Sequence, residues 1–459
     1  MKLTLIGGAG IRAPLVIQSA LKRAQKIHLD EICLMDNDED QLALIGKICQ
    51  LTIKQTGSPV KLTFTTDARR ALDGADYVIT TIRVGKEKGR VLDERIALAH
   101  RVLGQETTGP GGFAMAMRSI PAIRGYADLM QEICPKAWMF NFTNPAGLVT
   151  QALRDSGFDR IVGICDGANG AQHSAARYLK VNPENIRARV FGLNHLSWSK
   201  SIQVNGEEMM PRLLADENFL KNSDMRVFEP ALVREVGLWM NEYLFYYHYA
   251  DRAVNSILAE EHTRGEEVLT LNKNLIDLLS EINPEHYPAE AMKAYWTYNE
   301  RRGATYMNYA RPDGISMDKA DRSDYAGVAD DASSEGYAGV ALGIVEAFEA
   351  GEKVHIAVNV PNNGAIACMR DTDVVEVSCD VDREGIHPLP IGEVQEPQEL
   401  LMRSVKQYER LAAEAILTRS KRKAYMALMA HPLVLSYSLG RTLVEEYLTA
   451  HQQFVGEWH

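Results

Sequence analysis

The chemistry this sequence could perform starts with a thiol beside a carboxyl. Cys165 and Asp166 follow the apolar run Ile161 to Ile164, and glycines then lead into a helical pattern. That order reads as a buried strand ending at a site, because ligands of open α/β sheets bind beyond the carboxyl ends of strands. A cysteine after a strand also serves as a small core residue, so its neighbours decide. His195 follows another short strand, Arg189 to Gly192. Its spacing from Cys165 fits no local metal motif, and a lone histidine is ordinarily structural. A thiolate and an imidazole brought together would nevertheless take several transition metals. Two protein ligands would leave most positions open for substrate and water, which suits a Lewis acid. Tyr243-Leu-Phe-Tyr-Tyr-His-Tyr249 is a dense aromatic run. It reads as core packing on a helix, or as the source of a tyrosine base. Such a base needs its pKa of about 10 lowered by a nearby cation.

These residues need elements to position them. Lys2 to Ile6 reads as a buried strand, followed by a glycine turn and a helix from about Pro14 to Gln25. Gly8, Gly10 and Ala13 match the dinucleotide fingerprint, in which small residues let backbone N–H groups approach a pyrophosphate at a helix N-terminus. A second strand, Glu31 to Met35, ends in Asp36, where a ribose-binding acid belongs. The alternative is a glycine turn in a non-binding α/β protein. Leu62 to Thr65, Tyr77 to Ile82 and Trp138 to Asn141 read as further strands. Val84 to Arg90 is too charged and glycine-rich for core. Gly104-Gln-Glu-Thr-Thr-Gly-Pro-Gly-Gly-Phe113 reads as a loop opening a helix, Ala114 to Ile133. Its glycines suggest backbone against a ligand, positive φ or a plain surface loop. Asn144 lies between a strand end and a helix start, as a site residue or a cap.

After Asn205-Gly206, a hairpin signal, the βα rhythm stops. Helical patterns run over Glu229 to Tyr249, Thr263 to Ile282 and Glu290 to Arg302. Met307 to Gly336 reads as a polar loop, Val354 to Val360 and Val374 to Val381 as strands. Two closing helices are expected at about Gln398 to Thr418 and Lys421 to His431. The fold class is therefore α/β: a Rossmann domain over residues 1–195 and a mixed, mainly helical α+β domain over 196–459 for substrate and oligomerisation.

The 459 residues carry a net charge of −11, which argues against nucleic acid as main partner. No run of 18 apolar residues suggests a membrane span, and the early glycines do not suit a signal peptide. Six scattered cysteines without a C-x-x-C pair suit reduced thiols in a cytoplasm.

Taken together, six motifs resemble the NAD- and metal-dependent glycoside hydrolases of family 4, whose fold is similar to lactate and malate dehydrogenases. They are Gly-Gly-Ala-Gly (7–10), Gly-Gln-Glu-Thr-Thr-Gly-Pro-Gly-Gly (104–112), Asn-Phe-Thr-Asn-Pro-Ala-Gly (141–147), Ile-Cys-Asp (164–166), Gly-Leu-Asn-His-Leu (192–196) and Tyr-Leu-Phe-Tyr-Tyr (243–247). The resemblance implies that Gly7, Gly8, Gly10 and Asp36 bind NAD+. It implies that Cys165 and His195 bind Mn2+ or another divalent metal, and that Tyr243 is the base, made more basic by Glu106. Asp166 becomes the proton donor. Arg90, Asn144 and Arg264 become substrate contacts, with Arg264 meeting a phosphate. The implied reaction oxidises C3 of a 6-phospho-glucoside with NAD+, removes the C2 proton, eliminates the aglycone, adds water and returns the hydride. Such members are exceptions to the two-carboxylate rule for glycosidases. The expected substrate is a 6-phosphorylated disaccharide or aryl glucoside, and the expected assembly a homodimer or homotetramer. Cys-Asp-Gly-Ala at 165–168 departs from both the Cys-Asp-Met-Pro of 6-phospho-α-glucosidases and the Cys-Asn-Val-Pro of 6-phospho-β-glucosidases, so both anomers stay open. The competing reading is an NAD-dependent 2-hydroxy-acid dehydrogenase.

Overall fold

A computed structural model describes residues 1–310 and 336–459. Its main sheet has nine strands in the order β13-β12-β11-β6-β5-β4-β1-β2-β3. The parallel part comprises β1 (Lys2–Ile6), β2 (Glu31–Met35), β3 (Lys61–Thr65), β4 (Tyr77–Thr80), β5 (Trp138–Asn141) and β6 (Ile161–Gly163). Sequences such as Leu-Thr-Leu-Ile and Tyr-Val-Ile-Thr carry no polar alternation because helices cover both faces of a parallel sheet. The order 3-2-1-4-5-6 is that of the dinucleotide-binding fold, with its switch point between β1 and β4. The Rossmann expectation holds.

Register explains how distant residues meet. Ile6 pairs with Met35 and Thr80, Thr80 with Asn141, and Asn141 with Gly163. The carboxyl ends of five strands therefore form one row. Gly7, Asp36, Thr81, Asn144 and Cys165 all follow within three residues of that row.

Three antiparallel strands from the C-terminal half extend this sheet: β11 (Val354–Pro361), β12 (Val374–Asp382) and β13 (Gly385–Pro388). A second sheet is built by β7 (Ile186–Leu193), β8 (Leu196–Val204), β9 (Glu207–Glu208) and β10 (Trp239–Met240). β7 and β8 form a hairpin whose two-residue turn is Asn194-His195, and β9 follows the expected turn at Asn205-Gly206. Helices predominate over the rest of the C-terminal half.

Several expectations are corrected. The stretch 84–90, expected to be too charged and glycine-rich for core, is partly buried at Gly89 and Arg90. It leads into the helix Lys86–Ala99, in which Arg90, Asp93 and Glu94 are buried because each charge has a partner. The next helix opens at Pro110, four residues before Ala114. Its glycines lie against their own preceding loop: a Cβ on Gly111 would sit 2.2 Å from the Gln105 carbonyl oxygen. The pattern from Glu229 to Tyr249 is not one helix. Pro230–Val236 ends at Gly237 (φ 66°), β10 follows, and Tyr243 lies in a single 3-10 turn, Glu242–Leu244. Gly336–Ala350 is a helix that pattern reading missed, since glycine and alanine give it little periodicity. The polar stretch expected as a loop falls, over 311–335, outside the described residues. The chain does not close with two helices: Tyr437–Ala450 and Gln452–Val455 follow.

The C-terminal helices fix the site from behind. His451 Nε2 contacts Asp93 Oδ1 at 2.7 Å, and Arg118 donates to both Asp93 oxygens at 2.8 and 2.6 Å. All three side chains are fully buried. This cluster anchors the helix that carries Arg90 and Glu94. Removing one member of a buried charge cluster strands the others. Asp93→Ala is expected to lower stability by about 3–5 kcal/mol, measured by denaturant unfolding; a loss under about 1 kcal/mol would show that the cluster does not anchor the helix.

Candidate active site

Beyond the row of strand ends lies a cavity of about 1350 Å³. Gly7, Gly10, Asp36, Arg90, Glu106, Asn144, Cys165, Asp166, His195, Tyr243 and Arg264 all line it. The one candidate outside this lining is Gly8. A Cβ there would meet Leu34 Cβ at 2.7 Å, so Gly8 lets the turn pack against β2. Gly7 has φ 96°, and a Cβ would lie 2.7 Å from Thr81 Oγ1. Only glycine suits a turn this close to the neighbouring strand. Asp36 Oδ2 accepts a hydrogen bond from Ala9 N at 3.1 Å, which ties the loop to the end of β2.

Cys165 and His195 come from different sheets, yet Sγ and Nε2 are 3.4 Å apart. His195 is held in the β7–β8 turn with φ 61°. Gly192 permits the tight hairpin, since with φ 141° a Cβ would lie 2.3 Å from the Leu196 carbonyl oxygen. The spacing suits a shared ion. Metal bonds of about 2.3 Å to sulfur and 2.1 Å to nitrogen, meeting at between a right and a tetrahedral angle, span about 3.1–3.6 Å. Burial lowers the His195 pKa to about 4, leaving a neutral imidazole as metal ligation requires. Burial, then the charges of Glu376 and Asp166, pushes the Cys165 thiol well up. A divalent cation is the partner that would offset this and favour the thiolate. No cluster of three or more His, Cys, Asp or Glu side chains suited to a metal occurs among the described residues. The donor set is thus one soft and one imidazole group, with the remaining positions open.

Tyr243 stacks on His195, ring centroids 4.0 Å apart and planes 8° from parallel. Burial raises its pKa well above the usual value, and the charges of Glu242, Glu106 and Cys165 add to this. Tyr306 acts the other way as a hydrogen-bond partner of the phenol. Arg90 attracts the phenolate form. Glu106 lies between two guanidiniums, Arg83 at 2.5 Å and Arg90 at 3.2 Å. Burial opposes its ionisation, but the two arginines hold its carboxyl below the ordinary range. Asp166 faces Arg12 at 3.9 Å and caps the turn through Gly167 N at 3.1 Å. Arg264 is engaged by Glu267 and Thr305, each at 2.6 Å.

Sequence reading missed several contributors. Glu94 accepts from Arg90 Nε at 2.7 Å and from Gly265 N at 2.8 Å. Its four-residue spacing from Arg90 was a signal, once a helix is granted there. Glu376, buried on β12, bonds Asn194 at 3.1 Å and Ser197 at 2.7 Å, bracing the His195 turn. Tyr306 donates to Glu242 at 2.8 Å. Nothing local in the sequence marks these pairs.

The geometry defines a class: an enzyme of the dinucleotide-binding fold with a sulfur–imidazole pair and a phenol beside the nucleotide loop. Comparison with known proteins narrows this. The model of family 4 glycosyl hydrolases matches residues 2–181, and that of the family 4 glycosyl hydrolase C-terminal domain matches residues 190–434. The chain belongs to glycosyl hydrolase family 4. It is 30% identical over 470 residues to a probable 6-phospho-beta-glucosidase of Bacillus subtilis, covering 100% of this chain and 98% of that one. The structure of the 6-phospho-beta glucosidase from Thermotoga maritima with manganese, NAD+ and glucose-6-phosphate superposes with TM-score 0.81 at 26% identity, covering 99% of each chain. A 6-phospho-alpha-glucosidase from gut microorganisms, with NAD and glucose-6-phosphate, also gives TM-score 0.81 at 26% identity, covering 100% of this chain and 99% of that one.

The site carries its own pH signature away from the metal-ligand pair. Burial, then Asp224, pushes the Glu242 carboxyl up to about 8 from 4.5. The folded state therefore keeps a proton that the unfolded chain releases. Its contribution to stability is full below about 4.5 and is lost as pH rises through about 8. Glu242→Gln is expected to gain Tm relative to the natural chain as pH rises across that window. A Tm difference independent of pH would contradict the burial effect.

Proposed function

We propose that this chain is a glycosidase of 6-phospho-glucosides, using NAD+ and Mn2+ or another divalent ion. The observation that carries this reading is the Cys165–His195–Tyr243 contact set in one cavity with the glycine loop. Kinship with 6-phospho-beta- and 6-phospho-alpha-glucosidases supports the substrate class, with either anomer inside it. A hydroxy-acid dehydrogenase would have no use for the sulfur–imidazole pair.

The residues divide the work. Gly7 and Gly10 leave room for a pyrophosphate against the backbone, Gly8 lets the loop pack, and Asp36 takes the ribose hydroxyls. Cys165 and His195 would hold the ion. When bound, NAD+ would supply reversible hydride acceptance from C3, and the ion Lewis-acid polarisation of the sugar oxygens. Tyr243 removes the C2 proton, which a C3 ketone makes acidic. Glu106 makes the phenol more basic, while Arg83 and Arg90 keep that carboxylate ionised. Arg90, Asn144 and Arg264 orient the sugar, and Asp166 gives a proton to the departing glycosidic oxygen. Elimination spares the site an oxocarbenium ion, so one arrangement can tolerate either anomer where the leaving group is helped.

The six cysteines are free of disulfides, which supports a reducing, cytoplasmic setting. No helix among the described residues is long and apolar enough to cross a membrane. Exposed Leu400 and Tyr437 on the C-terminal helices, with Leu435 in the connection before the second, support assembly as a homodimer or homotetramer.

The test is a panel of nitrophenyl 6-phospho-α- and β-glucosides with NAD+ and Mn2+. At least one should be hydrolysed, and chelator should abolish the activity. Tyr243→Phe should bind both cofactors normally while turnover falls about 10²- to 10⁴-fold. No hydrolysis of any member by the natural protein would overturn the reading.

A further inference from the structure

Among the described residues, one arginine of the cavity wall has no carboxylate partner. Arg83 is neutralised by Glu106, Arg90 by Glu94 and Glu106, and Arg264 by Glu267. Arg302 differs. Its Nη1 donates to the Tyr298 hydroxyl at 2.8 Å, and among the described residues it forms no ion pair. Burial and the like charges of Arg12 and Arg90 both work against it. A guanidinium does not escape by losing its proton. It stays charged, and a charge taken out of water without a counter-ion is costly. A ligand anion would supply the missing partner.

The surroundings prepare Arg302 for that role. Tyr298, which receives its Nη1, donates in turn to Asn272 at 2.5 Å. Arg264 Nη2 donates to the Arg302 carbonyl at 2.7 Å, fixing the backbone. Arg302 is also within electrostatic reach of Glu106, beside Tyr243. Two phosphate sources could meet it: the substrate or the cofactor's pyrophosphate. The glycine turn that opens the helix Ala13–Arg23 is the place the dinucleotide fingerprint assigns to the latter. We propose that Arg302 binds the 6-phosphate of the substrate, and that Arg264, besides orienting the sugar, fixes the Arg302 backbone. This rests on the glycosidase reading for the identity of the sugar.

The test measures binding of glucose 6-phosphate, glucose and NAD+ to the natural protein, Arg302→Gln and Arg302→Lys. The natural protein should prefer glucose 6-phosphate over glucose. Arg302→Gln should lose about 10- to 100-fold of that preference, with NAD+ affinity kept within about twofold, which also certifies the fold. Arg302→Lys, keeping charge but not the planar fork, should retain an intermediate preference; if the Gln variant fails to fold, this variant decides. An unchanged preference in both variants, or a loss confined to NAD+, would overturn the assignment. Preference for glucose 6-phosphate without hydrolysis of any 6-phosphoglucoside would leave Arg302 standing and sink the glycosidase reading instead.

Discussion

The site depends on burying a sulfur, an imidazole and a phenol against one another. Burial alone drives each toward neutrality: the thiol and phenol keep their protons, and the imidazole stays unprotonated. Only the last state suits a metal ligand as it stands. The thiolate and phenolate need positive charge, which Arg90 supplies at the phenol and which, on the proposed reading, a divalent ion at Cys165 and His195 would supply. The proposed chemistry is thereby conditional on the cofactor, since Tyr243 as base would gain its reactive form where the ion is held.

The rest of the molecule keeps these groups in place. Strand register delivers Cys165, a glycine-enabled hairpin delivers His195, and a 3-10 turn after β10 presents Tyr243. Alternating arginines and carboxylates, Arg83–Glu106–Arg90–Glu94, form the opposite wall. Their charges are paired, so the wall is rigid as well as polar. Behind it, the Asp93–Arg118–His451 cluster ties the wall to the end of the chain.

Legibility in the sequence followed the physics of each element. β1, β2 and β5 were readable to the residue, because a doubly covered parallel strand is a near-continuous apolar run. The glycine turn, Asp36, Cys165 and His195 were readable as types at strand ends. Their meeting was legible only through the family resemblance and not from the residues themselves, because 30 residues and two sheets separate the thiol from the imidazole. The helix under Arg90 was not legible because its charges are buried, and apart from the Arg90–Glu94 pair their partners Glu106, Arg118 and His451 lie elsewhere in the chain. Tyr243 was placed on a helix, although Gly237 breaks that helix before it. Arg302 gave no signal, since what distinguishes it is the lack of a carboxylate partner among the described residues, which only packing reveals.

The most direct measurement is anomalous diffraction at the manganese edge from crystals grown with Mn2+ and NAD+. The account predicts one strong peak within about 2.0–2.5 Å of both Cys165 Sγ and His195 Nε2, beside the Tyr243 ring, and its loss in Cys165→Ala. Manganese bound elsewhere, or no peak between the two side chains, would contradict it.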